Sequence, residues 1–100
     1  MTVYQMRASV TAAAGAGSSI GLNIPGGLIR QVLIRANTDT TVFRANLVDA
    51  SGLTIANWGF ETHEINDTSL ALAVAGSLAL NITNASPNDT FQTLISVQEA

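Results

Sequence analysis

Three observations predict an all-β fold. Apolar and polar residues alternate in short runs, as where Tyr4, Met6, Ala8 and Val10 interleave with Gln5, Arg7, Ser9 and Thr11. Gly, Asn, Asp and Pro, the residues of turns, bound these runs. Ala, Gly, Ser and Thr fill 42 of the 100 positions, and no 3.6-residue stripe of Leu, Lys and Glu is long enough for a bundle helix. The expected architecture is a compact antiparallel β-sandwich of jelly-roll or Greek-key type with about seven or eight strands. Its length fits a single domain over residues 1–100.

The first strand is expected from Val3 to Thr11, with its polar face toward solvent or a partner. Ala12 to Gly17 is small and Gly-containing, and reads as a loop closing a first hairpin. Ile20, Leu22 and Ile24 alternate through a second strand that should stop at Pro25-Gly26-Gly27. Leu28–Ala36 and Thr41–Val48 then form a hairpin around Asn37-Thr38-Asp39-Thr40, with Ile34 opposite Phe43, Val32 opposite Ala45, and Arg30 opposite Leu47 at the core margin. Arg35 and Arg44 would share the other face of that hairpin.

Asp49-Ala50-Ser51-Gly52 has the chemistry of a type I turn with a bulge glycine. In that register Leu53 and Ile55 enter the core, whereas a one-residue slip buries Ala56 and Trp58 instead. Glu61 to Asp67 reads as an acidic loop, and Leu70, Leu72 and Val74 as a strand or a buried helical turn. A closing hairpin is expected from Leu78, Leu80 and Ile82, through Ser86-Pro87-Asn88-Asp89, to Phe91, Thr93, Ile95 and Val97. The core is therefore expected to hold Phe43, Leu47, Leu80, Ile82, Phe91, Ile95 and Val97.

Composition narrows the function. Without cysteine there is no zinc ribbon, disulfide framework or thiol chemistry. Four arginines, no lysine and a net charge of −3 leave no basic patch able to follow a phosphate backbone, so nucleic acid is not an expected partner. Tyr4, Gln5 and Arg7 interrupt the run a secretory signal would need, and no stretch approaches a membrane span. A soluble protein made in a cytosol is the expectation, with no membrane partner.

Catalytic chemistry finds little support. His63 is the single imidazole, and Glu61 and Glu64 beside it make a weak metal or acid–base set that reads better as a solvated loop. Gly15, Gly17 and Gly21 lack the Lys and helix of a phosphate loop. Asp49, Asp67 and Asp89 stand beside turn residues, where short carboxylates bond the local backbone. No enzyme, cofactor or metal is expected. Interaction is the better reading, because only 11% of residues are charged against about a quarter in typical domains. Leu33, Val42, Val48 and Leu94, with Arg35 and Arg44, fall outside the inferred core and would be covered by an interface. Trp58 and Phe60 alternate on one strand, where they pack inward, stack on sugar rings or anchor a contact. A homotrimer is expected, since closed rings avoid polymerisation.

Several runs in order carry a resemblance: Pro25-Gly26-Gly27-Leu28-Ile29-Arg30, Thr40-Thr41-Val42-Phe43, Asp49-Ala50-Ser51-Gly52, and the stretch from Gly76-Ser77-Leu78 through Asn81-Ile82-Thr83 to Ser86. In this succession the chain resembles the small β-sandwich virion proteins of tailed bacteriophages, most of all head-decoration (capsid cement) proteins. The resemblance implies a non-enzymatic protein, made in the host cytoplasm, that binds the major capsid protein shell on its outer surface, often as a trimer. The alternative it leaves is a carbohydrate- or receptor-binding module of a phage tail or fibre.

Overall fold

The computed structural model describes residues 2–86 and 88–99, so the expected turn residue Pro87 lies outside the described residues. Seven antiparallel strands make up the fold: β1 (Val3–Ala12), β2 (Gly17–Ala36), β3 (Val42–Asp49), β4 (Thr54–Thr62), β5 (Glu64–Asp67), β6 (Leu72–Ser86) and β7 (Asp89–Glu99). No helix occurs among the described residues. Hydrogen bonding is continuous in the order β1-β7-β2-β6-β3-β4, with β5 added on β2.

This sheet folds over on itself. β2 pairs with β6 from Gly17 to Ile29, and with β7 from Gly27 to Ala36, so its two halves belong to different layers. One layer is β1, β7, the second half of β2, and β5; the other is the first half of β2, β6, β3 and β4. Phe43 on β3 and Phe91 on β7 are far apart in strand order, yet their rings meet edge-on at 4.8 Å between the layers. Around them one cluster buries Ile29, Val32, Ile34, Leu47, Leu80, Ile82, Ile95 and Val97. Phe43, Leu47, Leu80, Ile82, Phe91, Ile95 and Val97, all expected in the core, are each at most 1% exposed.

The connections differ from the expected hairpins. Pro25-Gly26-Gly27 does not end a strand but turns one between layers: Pro25 and Gly26 stand opposite the single residue Ala75, between the pairs Ile24–Gly76 and Gly27–Val74. Proline is tolerated there because a bulge releases its position from the ladder. Gly27 lies between β6 and β7, and a Cβ at that position would run into the Gln98 backbone carbonyl. Gly27→Ala is therefore expected to cost about 1–3 kcal/mol in urea unfolding. Gly59→Ala, where a Cβ meets nothing, should change stability by less than about 0.5 kcal/mol. Equal melting of the two variants would refute the close approach.

β2 and β3 do not pair, so Ile34 and Phe43 share the core without being ladder neighbours. Asn37 to Thr40 instead carries the chain from one layer to the other. Arg30 falls at a register shift between Ile29–Val97 and Gln31–Ser96, which turns it out to solvent rather than to the core margin. β1 and β2 likewise form no hairpin, nor do β6 and β7: each strand joins a partner distant in sequence. Glu64 to Asp67, expected within a loop, forms β5 against Val32 to Arg35. The ambiguous Leu72 to Val74 run is strand, and Gly76-Ser77 lies within it.

The Asp49 to Gly52 turn has the expected chemistry. Gly52 N–H donates to the Asp49 carbonyl at 3.0 Å, and Gly52 takes φ = 90°. Asp49 Oδ1 accepts from the Ser51 hydroxyl, Leu53 N–H and Ser51 N–H, and these bonds hold its carboxyl below the ordinary carboxylate range. The residues beyond it correct the expected register. Leu47 pairs with Ala56 and Val48 with Thr54, a shift at Ile55 that leaves Leu53 66% exposed. Ile55, Ala56 and Trp58 all become partly buried against the core.

Candidate interaction surfaces

The sequence-predicted interface residues separate onto two surfaces. Leu33, Arg35 and Leu94 lie on the outer side of the first layer, where Leu33 pairs with Leu94 and Leu94 with Arg7. Val42, Arg44 and Val48 lie on β3 in the second layer, with Arg44 beside Phe60 of β4. Arg35 and Arg44 thus share no hairpin face, because the strands that carry them belong to different layers.

On the first surface Leu94 is only 9% exposed although it points away from the core. Arg7, Leu33, Arg35 and Gln92 line the shallow dip in which it sits. Arg35 is held by Glu64 across the β2–β5 pair, Nη2 to Oε1 at 3.0 Å. With both side chains open to solvent this pair fixes orientation more than it stabilises. Arg7 donates to Gln5 Oε1 at 3.1 Å and has no carboxylate partner among the described residues.

The second surface is built on a polar ladder. Ser19 Oγ donates to Asn81 Oδ1 at 2.7 Å, and Asn81 Nδ2 to Asn46 Oδ1 at 3.0 Å, so side chains of β2, β6 and β3 link in a row across the strands. Arg44 stands opposite two residues of β4, because Phe43 pairs with Glu61 and Ala45 with Trp58. The bulge formed by Gly59 and Phe60 brings the Phe60 ring under the guanidinium, 5.4 Å from its centre. Phe60 remains 55% exposed. Trp58 differs: it packs toward the core, and its indole N–H donates to Asp67 Oδ2 at 3.1 Å. That bond, with those from Ser69, holds the Asp67 carboxyl below its ordinary range.

His63 has a backbone role. It takes φ = 71° between β4 and β5, donates its N–H to the Thr41 carbonyl and accepts from Ala36 N–H, both at 2.7 Å. Its ring lies by the Thr38 carbonyl, with Nδ1 to O at 3.4 Å, and by Asp39, with Nε2 to Oδ1 at 3.8 Å. Asp89 is the polar group that local turn chemistry underestimates. Its Oδ2 accepts from the Thr41 hydroxyl at 2.6 Å and Thr38 N–H at 2.9 Å, and its Oδ1 from Thr90 N–H at 2.8 Å, tying the Asn37 to Thr41 crossing to β7.

The layers and their outer faces define a small two-layer antiparallel β-protein. No protein-family model and no curated protein sequence matches the chain. Solved structures match its fold. A chain of the cyanophage Pam1 capsid superposes with a TM-score of 0.59 at 18% identity, over 98% of this chain and 85% of that one. A Bacillus endospore appendage protein, from disulfide-linked pili, gives 0.59 at 14% identity over 99% and 90%. FlhE gives 0.55 at 10% identity over 99% and 100%. At these identities the likeness is one of fold.

Proposed function

We propose that this chain is a non-enzymatic structural protein of a bacteriophage virion, a decoration or cement protein that binds the outer surface of the assembled head. The observation that carries the reading is the match of nearly the whole chain to a chain in a cyanophage capsid. The exposed Phe60 and Arg44 pair on one face, and the Arg7, Leu33, Leu94 and Arg35 dip on the other, supply contact surface. Binding the assembled shell rather than free subunits stabilises it by mass action, and several attached copies convert weak contacts into lasting occupancy. A cyclic trimer fits the separation of the candidate residues, because a head-to-tail ring uses two different surfaces of each copy.

Mixing the protein with undecorated capsids and imaging them tests the reading. Regular density on the shell, and an elution mass by light scattering near three times the 10.4 kDa chain, are the expected results. Bare shells would overturn decoration, and a single-chain mass at high concentration would overturn the trimer. The exposed Phe60 ring also favours a second reading, a sugar-binding module of a tail or fibre. Glycan-array binding lost in Phe60→Ala would establish that reading over decoration.

A further inference from the structure

Among the described residues three strands have only one ladder partner: β1 pairs with β7, β4 with β3, and β5 with β2. Such edges invite another strand unless something blocks them. β4 is blocked by two register shifts and carries Glu61, and β5 has only four residues, among them Glu64 and Asp67. β1 has neither the register shifts nor the shortness of these edges. Its ten residues pair with β7 without a register shift, from Val3–Gln98 to Ala12–Asp89. It contains no proline, and Arg7 is its one charged side chain.

Backbone polarity shows which groups are open. Glu99 N–H donates to the Thr2 carbonyl, so the even-numbered residues of β1 turn their N–H and C=O toward β7. The odd-numbered ones, Val3, Gln5, Arg7, Ser9 and Thr11, turn theirs to the free edge. Side chains add a chemical preference. Tyr4, Met6 and Val10 pack against the core but are only partly buried at this margin, so an added strand would cover them with apolar side chains of its own. On the opposite face Arg7 has no carboxylate partner among the described residues and lies beside the Leu94 dip near Arg35.

We infer that β1 is a strand-addition site for an extended segment of a partner protein that is apolar on one face and carries a carboxylate on the other, opposite Arg7. The inference builds on the decoration reading, in which that segment belongs to the shell. Pairing of β1 with β1 of a second copy is twofold and closes only dimers, so it is not the contact that builds the ring proposed above. Main-chain hydrogen bonds supply the affinity, and the alternating side chains supply the choice of partner.

The probe is a synthetic nine-residue peptide alternating threonine and valine with a central glutamate, titrated into the isotope-labelled protein. Amide signals of Gln5, Arg7 and Ser9 should shift and gain exchange protection. The same peptide with arginine in place of glutamate should bind about tenfold more weakly. Ser9→Pro removes an edge-facing N–H that no ladder bond in the free protein uses. It should keep the melting temperature and weaken the glutamate peptide about tenfold or more. Absence of the shifts, equal binding of the two peptides, or a β1-mediated dimer of the free protein would overturn the inference. With capsids, Ser9→Pro should lose binding that the parent chain shows. Retained binding would overturn the edge site while leaving decoration intact, and peptide binding without capsid binding would do the reverse.

Discussion

Phe91→Ala is expected to lower the free energy of unfolding by about 3–5 kcal/mol, measured by urea titration. Phe91 is fully buried, pairs with Val10 on β1 and Ala36 on β2, and meets Phe43 of the opposite layer edge-on. Its removal costs the transfer free energy of the ring and also leaves a cavity between layers that the ladders on either side of β7 hold apart. Phe91→Leu keeps much of the volume and should recover more than half of the loss. A midpoint shift of Phe91→Ala close to zero would mean that the two layers do not rely on this contact.

The second large effect is expected at Asp89. Burial works against its charge, but bonds from the Thr41 hydroxyl, Thr38 N–H, Thr90 N–H and the Thr38 hydroxyl outweigh that cost, and its carboxyl is held below the ordinary value of 3.8. Asp89→Ala leaves those donors without their acceptor, with an expected loss of about 1.5–3 kcal/mol. The pH dependence follows from the direction of the shift. A carboxyl whose pKa is lower in the folded chain contributes stability that is fully present above 3.8 and is lost as pH falls through its lower folded value. Asp49 and Asp67 are lowered as well and act in the same direction. Melting temperature is therefore expected to hold steady above about pH 5 and to fall in acid, less steeply in Asp89→Asn. An acid slope unchanged by that substitution would remove Asp89 from the account.

Alternation made the strands and the buried faces legible. Leu78, Leu80 and Ile82, and likewise Phe91, Ile95 and Val97, face inward as their two-residue period requires. Pairing was not legible. The period says which side of a strand is apolar but not which strand lies beside it, so proximity in sequence stood in for proximity in space and produced hairpins the fold does not contain. Pro25-Gly26-Gly27 shows why: the same residues end a strand or bend one at a bulge, and only the neighbours β6 and β7 decide between them. β4 failed differently, since its two register shifts each move a side chain to the other face and leave no compositional trace beyond Gly59.

For the candidate surfaces, the sequence pointed to Arg35, Arg44, Leu33 and Leu94 as residues off the core, but it joined Arg35 and Arg44 on one hairpin face. Phe60 and Trp58 looked alike at two-residue spacing, and only the bulge at Gly59 and the bond to Asp67 separate an exposed ring from a fastened one. Arg7 was visible as the one charge in a regular strand. Its significance depends on β1 having an edge, which is a fact of topology.

The path of β2 through both layers has a kinetic consequence. Of the ladders that build the two layers, only β3 with β4 joins strands consecutive in the chain, while β1 must wait for β7 at the far end. Loop-closure entropy has to be spent on these distant meetings before their contacts repay it, which places folding in the slow range for domains of this size. A ribosome that has not yet released β7 holds a chain whose central strand lacks one of its two neighbours along half its length. Such a chain commits to its structure only once β7 is present, and its layers then form and fail together.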